Sequence, residues 1–149
     1  MDSNVQVRIK RLPQGVPTPG DFEVVETSPP VAGSGQVLCR TRWLSLDPFV
    51  RALMSGRHWL GQPKPGDLLP ARGICEVVES RSEAFSPGDL VETVCGLQKL
   101  FVTDGVGSHR LHAGQQPPTT ALGILGVPGM TAYFGLLDVA QVQRGETVL

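Results

Sequence analysis

Short runs of alternating apolar and polar residues cover most of the chain. In "NVQVRIKRL" (4–12), Val5, Val7 and Ile9 alternate with Gln6, Arg8 and Lys10, the pattern of a half-buried strand. "PQGVPTPGDF" follows as a loop, and Phe22 to Glu26 reads as a second strand, closed by Pro29-Pro30. "GQVLCRTRWLSL" (35–46) is a long strand, with Val37, Cys39, Thr41 and Trp43 on one face and Leu38, Arg40, Arg42 and Leu44 on the other. "DPFVRALMSG" (47–56) breaks the period and reads as a turn into a short helix with Phe49, Leu53 and Met54 inward. "ARGICEVVES" (71–80) is another strand. "FSPGDLVETVCGLQKLFVTDG" (85–105) gives a turn at Pro87-Gly88-Asp89, then two strands around Gly96.

Beyond Pro117 the pattern changes. Thr119 or Thr120 is suited to cap a short helix, which Pro128-Gly129 interrupts. From Met130, the apolar positions Tyr133, Phe134, Leu137 and Val139-Ala140 recur at helical spacing, and this helix is expected to end near Gln143, with Tyr133 and Phe134 as core if it is a plain amphipathic helix. Arg144-Gly145 then turns the chain into Thr147-Val148-Leu149, the opening of a buried strand. About 115 residues thus read as all-β, a small barrel or sandwich, followed by helix, helix and strand start. A lone strand start has no hydrogen-bonding partners, so the expectation is half of something longer.

Composition sharpens this only in places. The 18 glycines and 13 prolines make up roughly a fifth of the chain, against about 12% in average proteins, as frequent turns require. A net charge of −1 argues against a nucleic-acid partner or an anionic membrane surface. No apolar run reaches a membrane span and the N-terminus has no signal-peptide core, so a cytoplasmic location is expected. Cys39, Cys75 and Cys95 are odd in number and far apart, which fits neither a disulfide framework nor a zinc site. His109 and His112 have no neighbouring Cys or acid and read as surface residues.

Three stretches carry a resemblance: "LSLDPFVR" (44–51), "FSPGDLV" (85–91) and "LGILGVPGMTAYFGLLDVAQVQRGETVL" (122–149). Together they resemble the medium-chain dehydrogenase/reductase superfamily, within it the zinc-independent branch of prostaglandin reductases, leukotriene dehydrogenases and double-bond reductases. The resemblance implies a mainly β fold, a GroES-like partly open β-barrel with a few short helices, that ends at the start of a missing Rossmann domain. Residues 1–128 would be the substrate-side barrel. Residues 129–149 would be the linking helix and first strand of a truncated dinucleotide-binding domain, its glycine-rich phosphate turn lying beyond Leu149. The places where zinc-dependent relatives carry Cys and His read "WLSLDPFVR" and "ARGICEV" here, so no metal is expected.

The same resemblance assigns site residues, each with a structural alternative. Phe49 would wall the substrate cleft, or simply be core. Asp47 and Arg51 could pair across the turn, Arg51 then standing at the substrate site, or Asp-Pro could cap a helix. Cys95, Gly96 and Leu97 would line the substrate pocket with smaller groups than relatives carry, or form a β-bulge at Gly96. Met130 and Thr131 would lie beside the nicotinamide, or open a capped amphipathic helix. Cys95 has no adjacent base or cation in sequence to make it a nucleophile. No catalytic acid is assigned. The implied activity is NADPH-dependent hydride transfer to the C=C bond of α,β-unsaturated ketones or aldehydes, with most cofactor contacts in the missing half and this chain inactive alone. A quinone reductase of the same superfamily, or a stand-alone GroES-like binding module, are the alternatives, and a homodimer is compatible with any of them.

Overall fold

The computed structural model describes residues 3–58, 61–112 and 117–149. Strand β1 (Asn4–Ile9) pairs antiparallel with β2 (Phe22–Thr27), Asn4 opposite Thr27 and Ile9 opposite Phe22. The loop between them closes on a 3-10 turn, Pro19–Asp21. There the Asp21 carboxylate accepts hydrogen bonds from the Thr18 amide (2.7 Å), the Thr18 hydroxyl (2.8 Å) and Arg11 Nε (2.7 Å).

The second sheet contains β3 (Val37–Ser45), β4 (Arg72–Ser80), β5 (Leu90–Val94), β6 (Leu100–Thr103) and β7 (His109–Arg110), in the order β6-β3-β4-β5-β7, every pair antiparallel. Among the described residues no continuous ladder closes the barrel. Instead β1 is joined to loops of the larger sheet: Val7 N–H donates to the Leu97 carbonyl (2.8 Å), Lys99 N–H to Val5 (2.9 Å), Ile9 N–H to Asp67 (2.9 Å) and Leu69 N–H to Val7 (3.0 Å). The result is mainly β and partly open, as expected for a GroES-like fold.

Two apolar clusters fill it. Val37, Cys39, Cys75, Val77, Val91, Cys95 and Phe101 pack inside the larger sheet. Ile9, Val50, Met54 and Leu69 pack beneath the short helix α1 (Pro48–Met54), flanked by Phe49 and Leu97. Val50, Leu53 and Met54 are the buried side of α1, so the sequence reading of that helix missed Val50.

Several expectations are corrected. Register shifts between Leu38 and Cys39 and between Thr41 and Trp43 break the two-residue period of β3, which leaves Trp43 43% exposed instead of beside Cys39. β7, two residues long, is too short to show a period. Near Thr119 there is a 3-10 turn, Pro118–Leu122, with Pro117 at its N-cap; Thr120 Oγ1 donates back to the Pro117 carbonyl (2.8 Å) and caps nothing. Pro128 lies in the first turn of α2 (Val127–Phe134), where a missing N–H costs nothing, so Pro128-Gly129 opens this helix and does not interrupt one. A π-helical turn, Gly135–Val139, ends it four residues before Gln143. Tyr133, Phe134 and Leu137 are exposed. Thr147–Leu149 forms no strand, since no neighbouring strand offers it partners. Among the described residues no helix is long and apolar enough to cross a membrane.

Candidate functional site

The corner after β5 is built by competition for one carbonyl. Cys95 and Gly96 both donate their amides to Ala71 O, each at 3.0 Å. Two residues thus oppose one, as in a bulge, and the chain turns sharply through Gly96 at φ 65°. A Cβ on Gly96 would lie 2.3 Å from Leu68 Cδ2, so glycine is needed for space as well as conformation. Gly73, on β4, has the same spatial role: a Cβ there would come within 2.6 Å of the Trp43 carbonyl and 2.8 Å of Cys95 Sγ.

This corner walls a cleft of about 380 Å³ lined by Leu68, Pro70, Val94, Cys95, Gly96 and Gln98. The bulge expected at Gly96 is present, and it borders this cleft. A side-chain relay holds it. Arg8 donates to Gln6 Oε1 through Nε (3.1 Å) and Nη2 (2.8 Å), Gln6 Nε2 donates to Gln98 Oε1 (2.9 Å), and Gln98 Nε2 donates to the Cys95 carbonyl (2.8 Å). Sequence reasoning stopped at Leu97 and missed Gln98, Gln6 and Arg8; the adjacency of Gln98 to the quoted residues was the only local signal.

All three cysteines are buried free thiols. Burial pushes the Cys39 thiol up to about 11. The neighbouring Cys75 and Cys95 thiols pull their acidities apart: the interaction with Cys95, reinforced by burial, raises Cys75 well above the ordinary thiol range, while the interaction with Cys75 lowers Cys95 against the opposing effect of burial, the Cys95 S–H itself donating to the Ala71 carbonyl (3.7 Å). The Thr41 hydroxyl, 4.0 Å from Cys75 Sγ, also favours the Cys95 thiolate.

A second cleft, about 750 Å³, lies between the 12–15 loop and α1, with Gln14, Arg51, Arg57 and Gln62 among its lining. Arg51 Nη2 donates to the Gly15 carbonyl. Asp47 does not pair with Arg51; its carboxylate accepts from Ser45 Oγ (2.9 Å), and although it occupies the N-cap position of α1 its side chain makes no capping hydrogen bond. Phe49 and Leu97 meet around the Ile9 cluster, and the Phe49 ring stands 6.0 Å from that of His58.

The predicted residues therefore divide. Cys95 and Gly96 share one cleft, Phe49 and Leu97 share the adjoining core, and Arg51 lines the other cleft. Met130 and Thr131 line neither; they stand on α2, whose segment meets the barrel through Pro118–Leu122 against β4. Among the described residues no three of His, Cys, Asp and Glu are grouped to hold a metal ion.

The glycine-rich stretch that leads into α2 does not fit a phosphate cradle. The amides of Gly126 and Gly129 both donate to Gly123 O (3.0 and 3.2 Å), and a Cβ on either glycine would strike the carbonyl of Ala121 or Ile124. These glycines serve the chain's own tight winding, their amides already donated to the Gly123 carbonyl and that of Gly123 to Thr120. α2 presents an exposed apolar surface with Met130, 57% exposed, and the Thr131 hydroxyl is donated to Val127 O (2.7 Å).

Comparison with known proteins places this geometry. A family model described as the N-terminal domain of oxidoreductase matches residues 5–111. Prostaglandin reductase 1 of Mus musculus is 37% identical over 144 residues, which cover 95% of this chain and 42% of that protein. The NADPH-dependent curcumin reductase of Escherichia coli is 38% identical over 138 residues, 92% of this chain and 40% of that protein. The crystal structure of CurA in complex with NADPH from Vibrio vulnificus superposes with a TM-score of 0.87 at 32% identity, over 95% of this chain and 42% of that one. The chain spans about two fifths of the length of these relatives. It belongs to the oxidoreductase N-terminal domain family, in the zinc-independent prostaglandin reductase branch of the medium-chain dehydrogenase/reductases.

Proposed function

We propose that this chain is the substrate-side barrel of an NADPH-dependent oxidoreductase that reduces the C=C bond of α,β-unsaturated ketones and aldehydes by hydride transfer. The observation that carries the proposal is similarity over nearly the whole chain to reductases of that kind: prostaglandin reductase 1, an NADPH-dependent curcumin reductase and, at 32% identity, an NADP(+)-dependent 2-alkenal reductase of Nicotiana tabacum.

In this reading residues 1–128 shape the substrate's surroundings and 129–149 begin the dinucleotide-binding part. NADPH, when bound, supplies the hydride. Cys95 and Gly96, with Leu97 and Phe49 behind them, present an apolar wall that excludes water and aligns the alkene. The relay from Arg8 fixes this wall through Gln98, and Arg51 meets the polar end of the substrate from the second cleft. Met130 carries the contact to the nicotinamide, with Thr131 beside it. No proton donor is assigned within this chain. The three free thiols accord with a reducing, cytoplasmic compartment, and a homodimer is part of the proposal.

The test is a chimera in which this chain replaces the aligned first two fifths of the E. coli relative. Loss of NADPH absorbance should depend on an added enone, with a saturated ketone as product, and a quinone should be the poorer substrate. A folded, NADPH-binding chimera that reduces only quinones, or nothing, would refute the assignment. Micromolar NADPH binding to the 149-residue chain alone would refute the division of labour.

A further inference from the structure

The cleft between the 12–15 loop and α1 carries charge that hydride transfer does not use. The described residues that line it include two guanidiniums, Arg51 and Arg57, and no carboxylate. Arg51 is tied to the Gly15 carbonyl, a neutral acceptor that leaves its charge uncompensated. Among the described residues the Arg57 guanidinium meets no hydrogen-bond or ion-pair partner; only its main-chain N–H is engaged, on Ala52 O (3.1 Å). The acids that flank this segment in sequence are spent elsewhere, Asp47 on Ser45 Oγ (2.9 Å) and Asp67 on the Lys64 N–H (2.7 Å). Met54 and Ser55, at the carbonyl end of α1, also line the cleft, and free carbonyls there would repel an anion. All four of the last ones are taken: Arg51 O by Ser55 N–H (3.1 Å), Ala52 O by Ser55 Oγ (2.9 Å), Leu53 O by Gly56 N–H (3.0 Å) and Met54 O by Gln62 Nε2 (2.7 Å). Two unopposed positive charges therefore set the potential of a cleft whose walls also include Leu12, Pro48 and Met54.

We propose that this cleft is a subsite for a carboxylate at the end of an apolar chain, with Arg51 and Arg57 holding the acid and Leu12, Pro48 and Met54 lying along the chain. That the chain carries a conjugated enone rests on the reductase reading; the carboxylate does not. Together the two give a substrate class, enones that end in an acid, and Arg57 is the residue that selects them over neutral ones. A guanidinium suits the task because it is always charged and its fork matches both oxygens of a carboxylate. A volume of about 750 Å³ holds the acid and several carbons of chain. Arg57 is exposed and Arg51 half-buried, so each contributes no more than about fivefold in affinity, the ceiling of an ion pair in contact with water.

The probes are a linear methyl enone with a carboxybutyl tail, the methyl ester of that acid, and the saturated analogue of each. In the chimera described above, the enone acid should have a KM about tenfold below that of its ester, with similar kcat, because the charge lies far from the alkene. Arg57→Gln should pull the ester-to-acid KM ratio toward one, Arg57→Lys should restore part of it, and raising NaCl from about 0.05 to 0.5 M should shrink it in the parent. Independently of turnover, the saturated acid titrated into the 149-residue chain should shift the Arg57 Nε–Hε resonance saturably in a nitrogen-15 NMR spectrum; its ester should not, and acetate, lacking the chain, should do so only weakly. A KM ratio near one in the parent, a parent-like ratio in folded Arg57→Gln, or equal shifts from acid and ester would overturn the proposal. The two readings fail separately. Acid-specific binding without enone-dependent turnover keeps the subsite and sinks the reductase; turnover indifferent to the acid does the reverse.

Discussion

Replacing Gly73 by alanine tests the packing around the corner directly. The new Cβ would meet the Trp43 carbonyl at 2.6 Å, Cys95 Sγ at 2.8 Å and Leu44 Cδ2 at 3.3 Å. The first contact is with backbone of the neighbouring strand, Leu44 being opposite Gly73 in the ladder, so no rotamer change relieves it. Overpacking of this kind costs about 1–3 kcal/mol. For a chain of this size each kcal/mol lowers Tm by about 2–4 °C, so Gly73→Ala should melt about 2–12 °C below the parent. Gly20→Ala is the control: its Cβ would find nothing closer than 3.7 Å, and its Tm should stay within about 1–2 °C of the parent, the shift of a change under ~0.5 kcal/mol. Thermal denaturation followed by circular dichroism reads both. Cys95→Ala in the Gly73→Ala background should cost less than in the parent, because it removes one of the two clashing partners; contacting residues couple by about 0.5–3 kcal/mol in such cycles. If Gly73→Ala melts with Gly20→Ala, or if the two substitutions at 73 and 95 simply add, the close approach described here is wrong.

Other outcomes follow from the same coordinates. Arg11 and Thr18 hold the Asp21 carboxyl down at about 2, below the ordinary value near 4, so its contribution to stability is complete above about pH 4 and is lost as pH falls toward 2. Urea melts of the parent and Asp21→Asn should therefore differ at pH 7 and converge near pH 2; a constant difference would exclude the linkage. In the Arg72–Glu92 pair the two halves should be unequal, because Glu92 is nearly buried and Arg72 about a third exposed. Arg72→Met strands the buried carboxylate and should cost about 2–3 kcal/mol, while Glu92→Met leaves a guanidinium that can reach water and should cost about 1 kcal/mol. Ile74, fully buried in β4, should lose about 2–5 kcal/mol on replacement by alanine, measured in urea.

Legibility in the sequence followed the physical range of each signal. Val5, Val7 and Ile9 announced β1 because alternation is local, and the runs at 22–26, 37–45 and 72–80 became strands for the same reason. Past Thr41 the alternation misled, since a register shift reverses faces without altering composition. Tyr133, Phe134 and Leu137 share helical spacing, but spacing reveals only which residues point together, and here that surface faces solvent. At the site, the bulge at Gly96 was readable, Cys95 and Gly96 bordering the cleft and Leu97 turning to the core, whereas the bond between Gln6 and Gln98 joins residues 92 positions apart and leaves no local trace. Of the two readings offered for Asp47 and Arg51, the pair across the turn does not form; the structure spends the side chains on Ser45 and the Gly15 backbone.

The seam along β1 carries one more consequence. Leu97 and Lys99, which flank Gln98, are hydrogen-bonded to Val7 and Val5 through main-chain groups. Stitches of that type ignore side-chain identity, so drift in the sequence of the 97–99 loop should leave them intact. A proline at position 7 or 99 would instead delete a stitch outright. Evolution can thus retailor the lining of this cleft while its seat in the barrel, anchored by the chain's opening residues, stays put.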